Sequence, residues 1–143
     1  MVKVRHLLDV NVLLALLEKD HVHHALVMRW FNTMSLDWGV CPFTEAGFLR
    51  ISSNSTVGML TVPQATVLLN AMALHPGYRF WCMNEGWSKL AAPFMQRVAG
   101  SQQITDAYLL GLAVREDGVL VTLDKGILHL AGAKFRRHVL VLE

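Results

Sequence analysis

Apolar residues recur along this chain in two rhythms, and the rhythms alternate from one end to the other. VKVRHLL (2–8) has the period of a β-strand and runs into Asp9, after which VNVLLALL carries a helical pattern to about Glu18. A second helix is expected after Asp20, a residue type suited to an N-cap, with Val22, Leu26, Trp30 and Met34 recurring on one face. Asp37 is turn-prone, and WGVC (38–41) reads as a second strand. Pro42 suits the first turn of a helix that would carry Glu45, Phe48, Leu49 and Ile51, and 52–58 is a polar loop.

Thr61 and Pro63 open the next helix, and His75-Pro76-Gly77 closes it. YRFWC (78–82) reads as a third strand, and 86–98 as helix with a break or kink at Pro93. A strongly apolar helix begins near Asp106, and Asp117-Gly118 makes a turn. The β-branched strand VLVTL (119–123) then runs into Asp124, and a short helix and the strand HVLVL (138–142) finish the chain. Strands separated by helices imply βαβ units, a mostly parallel sheet and helices on both of its faces. The expected fold is therefore α/β, a three-layer α/β/α sandwich. With 143 residues and no linker, repeat or low-complexity tract, one domain over 1–143 is expected.

Composition narrows the class without naming a function. A hydrophobic fraction of 53% against 17% charged residues excludes a disordered chain. Some of Trp30, Phe31, Trp38, Trp81 and Trp87 can line an apolar patch that a partner covers, and all of them can equally be core. The net charge of +2 is too small to mark a polyanion-binding protein, and the Lys134, Arg136 and Arg137 cluster reads as a solvated face. Cys41 and Cys82 lie in apolar contexts, so free buried thiols in a reducing cytoplasm are expected, and no CxxC spacing suggests zinc. Nothing reaches the ~18 uninterrupted apolar residues of a membrane span. Asp9 interrupts the first apolar stretch, which excludes a secretory signal there.

The informative residues are acids. Most of the 11 flank helix ends, turns or the terminus, but Asp9, Glu45, Asp106 and Asp124 each sit among apolar neighbours. A carboxylate is expensive to desolvate, so such acids need a partner. Asp9 and Asp124 each close a strand, and Glu45 and Asp106 each fall in the first turn of a helix. In a parallel sheet these positions share the carboxyl edge of the strands, where ligands bind. Helix capping accounts for Glu45 or Asp106 taken singly; it does not account for Asp9 and Asp124.

Clustered carboxylates repel one another unless a cation is present. A hard divalent ion with oxygen ligands, Mg²⁺ or Mn²⁺, meets that demand. One ion or two can activate a water and stabilise the leaving oxygen in phosphodiester hydrolysis. Asn11, Thr105 and Thr122 stand beside the acids and can hold them or a water in place, although capping explains Thr105 equally well. Arg50, Arg79 and Lys125 are the cations available to hold a nucleic-acid backbone. The histidines of HVHH (21–24) read as a solvated helix start, and His6 as packed beside the first strand.

Taken together, LLDVNVLLAL, CPFTEAGFLRI, ITDAYLLGLA and VLVTLDKGI resemble, in order and spacing, the four motifs of the PIN-domain nucleases. In particular they resemble the VapC toxins of bacterial VapBC toxin–antitoxin pairs, and PGYRFW (76–81) is also similar to a VapC segment. The resemblance implies a PIN-like fold and a Mg²⁺- or Mn²⁺-dependent endoribonuclease, with Asp9, Glu45, Asp106 and Asp124 as catalytic and metal-binding residues. It further implies an RNA substrate, a homodimer, a cognate VapB antitoxin and a cytoplasmic location. Lys125 stands where relatives often carry Arg, which keeps the charge and loses the bidentate fork.

Rival readings are weaker. A haloacid-dehalogenase-type phosphatase needs a second Asp two residues after the first, where this chain has Asn11. A receiver domain needs an acidic pair at the first strand and a later strand-borne Lys, which have no counterpart here. A silent PIN-like domain that only binds RNA or antitoxin remains the alternative. Retention of all four acids favours activity.

Overall fold

The computed structural model describes residues 3–33 and 37–143. Its centre is an all-parallel sheet of β1 (Arg5–Leu8), β2 (Asp37–Gly39), β3 (Val119–Thr122) and β4 (Val139–Val141), in the order β2-β1-β3-β4. Successive strand residues point to opposite faces, and here the alternation divides the core in two. Leu8 and Val121 pack with helices α1 (Val10–Leu17), α2 (His24–Asn32), α3 (Pro42–Ser52) and α4 (Val62–Met72). Leu7, Leu120 and Val139 face the other way, against α5 (Trp87–Leu90), α6 (Ile104–Arg115) and α7 (Gly126–Ala131). Two apolar cores separated by one sheet are the three layers expected from the sequence.

Local chemistry sets the helix starts. Asp9 caps α1, its carboxylate accepting the Val10 N–H at 2.7 Å. Pro42 opens α3, and the Thr44 hydroxyl accepts the Cys41 N–H at 2.9 Å. Thr61 and Gln64 form a reciprocal capping box on α4, each side chain accepting the other's backbone N–H. Pro93 ends regular helix as expected: α5 stops at Leu90 and a 3₁₀ stretch runs over Ala92–Arg97.

Four expectations are corrected. Asp20 is no N-cap and Val22 lies on no helix face, since α2 starts at His24 and Val22 is 84% exposed. The His24 ring bonds the Ala15 carbonyl at 2.7 Å, and the preceding residues form turns instead. Met34, expected on the same face, lies outside the described residues. Residues 78–82 form no regular strand, although they run beside β2: Trp38 and Tyr78 make a parallel bridge, and the Arg79 N–H donates to the Trp38 carbonyl at 2.8 Å. Within that segment Trp81 is buried while Cys82 is exposed, so only Cys41 is the buried thiol expected. Of the aromatic residues, Trp38 and Trp81 are core, and Trp30, Phe31 and Trp87 are half-buried.

The strand order also locates the site. From β1 the chain crosses to β2 on one side and later returns to β3 on the other. The connections leaving β1 and β3 therefore diverge at their carboxyl ends, which opens a crevice there. Among the described residues, no helix is long and apolar enough to cross a membrane.

Candidate active site

Asp9 follows the last residue of β1 at this crevice and is 6% exposed. Both its oxygens are engaged: one accepts the Val10 N–H, and the other accepts the Thr122 hydroxyl at 2.7 Å. Burial pushes the Asp9 carboxyl up, and the two hydrogen bonds oppose that rise. Charge on Asp124 adds to it.

Thr122, the last residue of β3, is fully buried and acts as the hub. While donating to Asp9, its hydroxyl accepts the Asp124 N–H at 3.1 Å and the Asn11 amide at 3.4 Å. Asn11 closes the loop, its carbonyl oxygen accepting the Leu123 N–H at 3.1 Å. The sequence placed Thr122 beside the acids, but only the pairing of β1 with β3 shows it tying two of them together. Asp124, exposed, is steadied by the Gly126 N–H at 2.8 Å.

Asp106 comes from the first turn of α6 and is part-buried. Burial, then the charges of Asp9 and Asp124, push its carboxyl up to about 7. Among the described residues, no side chain or backbone N–H bonds it. Three acids from β1, β3 and α6 thus share one electrostatic environment.

Glu45 is set apart from them. The α3 face that lines a cleft of about 490 Å³ with Asp9 and Asp106 carries Ala46, Gly47, Arg50 and Ile51. At about 100° per residue, Glu45 falls on another side of the helix. Its carboxyl is raised by burial alone, and its charge is felt by Tyr78. Thr105 is exposed at the rim of the same cleft.

The three expected cations differ in their freedom. Arg50 lines the cleft and, among the described residues, makes no ion pair or side-chain hydrogen bond. Arg79 donates to the Pro76 and Tyr78 carbonyls at 3.0 and 2.7 Å. Lys125 pairs with Glu143 at 2.9 Å on the exposed surface.

A divalent ion suits this donor set in charge and chemistry. The donors are all carboxylate oxygens, and a cation would offset the burial and the mutual repulsion that together raise the Asp106 carboxyl to about 7. Among the described residues, no three His, Cys, Asp or Glu side chains are gathered closely enough to hold an ion by themselves. Mg²⁺ does not demand that, since it keeps several waters and binds through one or two carboxylates plus substrate phosphates.

The chain is similar to known proteins over most of its length. Residues 6–133 match the PIN domain family. The chain is 40% identical over 130 residues to the ribonuclease VapC39 of Mycobacterium tuberculosis, covering 89% of this chain and 94% of that one. It is also 40% identical to ribonuclease VapC38 of the same organism over 131 residues, covering 87% and 89% of the two chains. In fold it is similar to the crystal structure of M. tuberculosis VapC20, a sarcin-ricin loop cleaving toxin, with a TM-score of 0.62 at 10% identity over 79% of this chain and 84% of that one. It is likewise similar to a chain of FitAB bound to a DNA fragment, with a TM-score of 0.65 at 19% identity over 95% and 94%. Parallel strands that deliver Asp9 and Asp124 to one edge, a helix that adds Asp106, and this shared sequence place the chain in the PIN-domain family, within its VapC group.

Proposed function

We propose that the chain is a divalent-metal-dependent endoribonuclease and the toxin of a toxin–antitoxin pair, acting as one PIN-like domain. The observation that carries this reading is the convergence of Asp9, Asp106 and Asp124, from three separate elements, on the crevice between β1 and β3. The names of its relatives, ribonucleases and an RNA-cleaving toxin, support the substrate class.

Asp9, Asp106 and Asp124 would hold Mg²⁺ or Mn²⁺, directly or through its waters. Such an ion activates a water and offsets charge on the leaving oxygen. The rest belongs to the chain. Thr122 and the Val10 N–H fix Asp9 in place and oppose the upward push of burial on its carboxyl. Asn11 and Gly126 fix the strand end that presents Asp124. Arg50, free in the cleft, receives the RNA backbone; Arg79 and Lys125, outside the cleft lining, are the further cations proposed to contact it. Thr105 supports Asp106 from the rim, while Glu45, on another side of α3, stays outside the three acids that would hold the ion.

A VapB-type antitoxin and a second copy of the chain are the proposed partners. Exposed Val57, Met59, Val62 and Val67 offer apolar surface for such contacts.

The test is incubation with total RNA, with and without Mg²⁺, followed by mapping of the cut ends. Discrete cuts that need the metal and vanish in Asp9→Asn are expected, while the variant keeps the parent's circular dichroism spectrum. Equal cleavage by Asp9→Asn from a clean preparation would defeat the assignment.

A further inference from the structure

Beside the acids, the cleft has an aromatic lining that hydrolysis alone does not require. Phe43, in the first turn of α3, and Tyr108, one residue beyond the Asp106–Ala107 pair on α6, both line it. Their rings meet edge to face, with centroids 4.8 Å apart and planes at 90°. Trp87 of α5 stands behind, 5.2 Å from the Tyr108 ring. Phe43 and Tyr108 are half-buried, so each ring keeps part of its surface in the cleft. Among the described residues nothing hydrogen-bonds the Tyr108 phenol.

We infer that Phe43 and Tyr108 form a nucleobase-stacking subsite, which receives a base of single-stranded RNA next to the phosphate held by Arg50 and the acids. This rests on the proposed nuclease function and deepens it. A buried aromatic pair that only filled the core would lie away from the solvent-filled cleft. Here the pair shares that cleft with the unpaired guanidinium of Arg50 and with Asp9 and Asp106. A flat apolar surface beside a cation and an acidic site matches a nucleotide: base on the rings, phosphate toward the charges. Trp87 packs against Tyr108 from α5 and holds it in place. Stacking is tolerant of base identity, so the subsite would favour unpaired over paired RNA more than one base over another.

The test measures binding without cleavage. In an Asp9→Asn background, a fluorescein-labelled single-stranded RNA is titrated with the parent, Tyr108→Leu, Tyr108→Phe and Phe43→Leu. Removing one stacked base typically weakens binding by about 5- to 100-fold, so roughly 10-fold or more is expected for Tyr108→Leu. Tyr108→Phe should stay within about twofold, because it keeps the stacking face. A second arm alters the RNA and not the protein: an abasic residue is moved along the strand. One position should reproduce the loss in the parent and add nothing in Tyr108→Leu, as expected for partners in a single contact. Unchanged affinity in both Leu variants, or abasic effects that simply add to theirs, would overturn the subsite and leave the nuclease reading standing. A parent that binds no RNA would overturn both.

Discussion

Thr122 shows how one hydroxyl can govern a charged site. It is the donor that stabilises buried Asp9, and as an acceptor it fixes the backbone carrying Asp124. Thr122→Val removes both roles at nearly constant volume and leaves a buried carboxylate oxygen without its partner, a cost of about 1–3 kcal/mol. Activity or metal affinity should fall by roughly 10- to 100-fold, whereas Thr122→Ser, which keeps the oxygen, should retain most of both. Calorimetric Mg²⁺ titration alongside cleavage rates would check this; a Val variant with normal metal affinity and rate would show the network to be incidental. Asp106 behaves in the opposite sense. Its carboxyl is raised to about 7 because burial, and then the charges of Asp9 and Asp124, make ionising it unfavourable in the folded state. Its folded value lies above its unfolded one, so its contribution is present in acid and is lost as pH rises towards 7. Asp106→Asn should therefore stabilise the metal-free protein above pH 7 while abolishing cleavage. Asp106 is only part-buried, and solvent screening keeps the gain to about 1 kcal/mol, a rise in Tm on the order of 3 °C. A metal-free variant melting below the parent at pH 8 would refute the cost of ionising Asp106 in this site.

At the scale of elements, position depends on close approach. Gly111, in the middle of α6, lies against α5 so tightly that an added Cβ would stand 2.1 Å from the Leu90 carbonyl oxygen. Gly111→Ala must push α5 and α6 apart, and overpacking of this kind costs about 1–3 kcal/mol. Urea unfolding would register it as a lower midpoint at constant slope; an unchanged midpoint would mean the helices separate freely. Such contacts are invisible in the sequence, where Gly111 is one small residue in an apolar helix. β1, β3 and β4 were legible because each is a short apolar run, rich in β-branched residues in β3 and β4, as strands buried on both faces of a parallel sheet are. Asp9 and Asp124 were legible for the same reason: an acid that ends a parallel strand has only one edge to occupy. Glu45 was not. Its helix and its turn followed from Pro42, but its side of the helix depends on rotation, and one residue of offset turns a side chain by about 100°. The Tyr78 segment has the aromatic composition of a strand, yet it borders only the three residues of β2, too short to extend a regular ladder. The meeting of Phe43 with Tyr108 depends on how α3 and α6 flank the crevice, which no local pattern encodes.

For the whole molecule, the question is where a polyanion is met. A net charge of +2 gives little long-range attraction, so distribution matters more than total. Lys134, Arg136 and Arg137 precede β4 and so lie toward the amino edge of the sheet, away from the crevice at the carboxyl edge. Part of that cluster also serves the fold: Arg136 donates to the Val139 carbonyl at 3.1 Å and Arg137 to the His138 ring at 3.1 Å. Arg50 is the cation that stands in the cleft with Asp9 and Asp106. If RNA threads that cleft, log affinity should fall with log salt at a slope of about −0.7 per phosphate contacted. Arg50→Ala should make the slope shallower by about 0.7, because one contact is lost. Arg136→Ala combined with Arg137→Ala should leave it unchanged. Titrations of a single-stranded RNA at several salt concentrations decide the matter. A slope that responds to the Arg136 and Arg137 pair but not to Arg50 would put the RNA on the far edge of the sheet, out of reach of the acids.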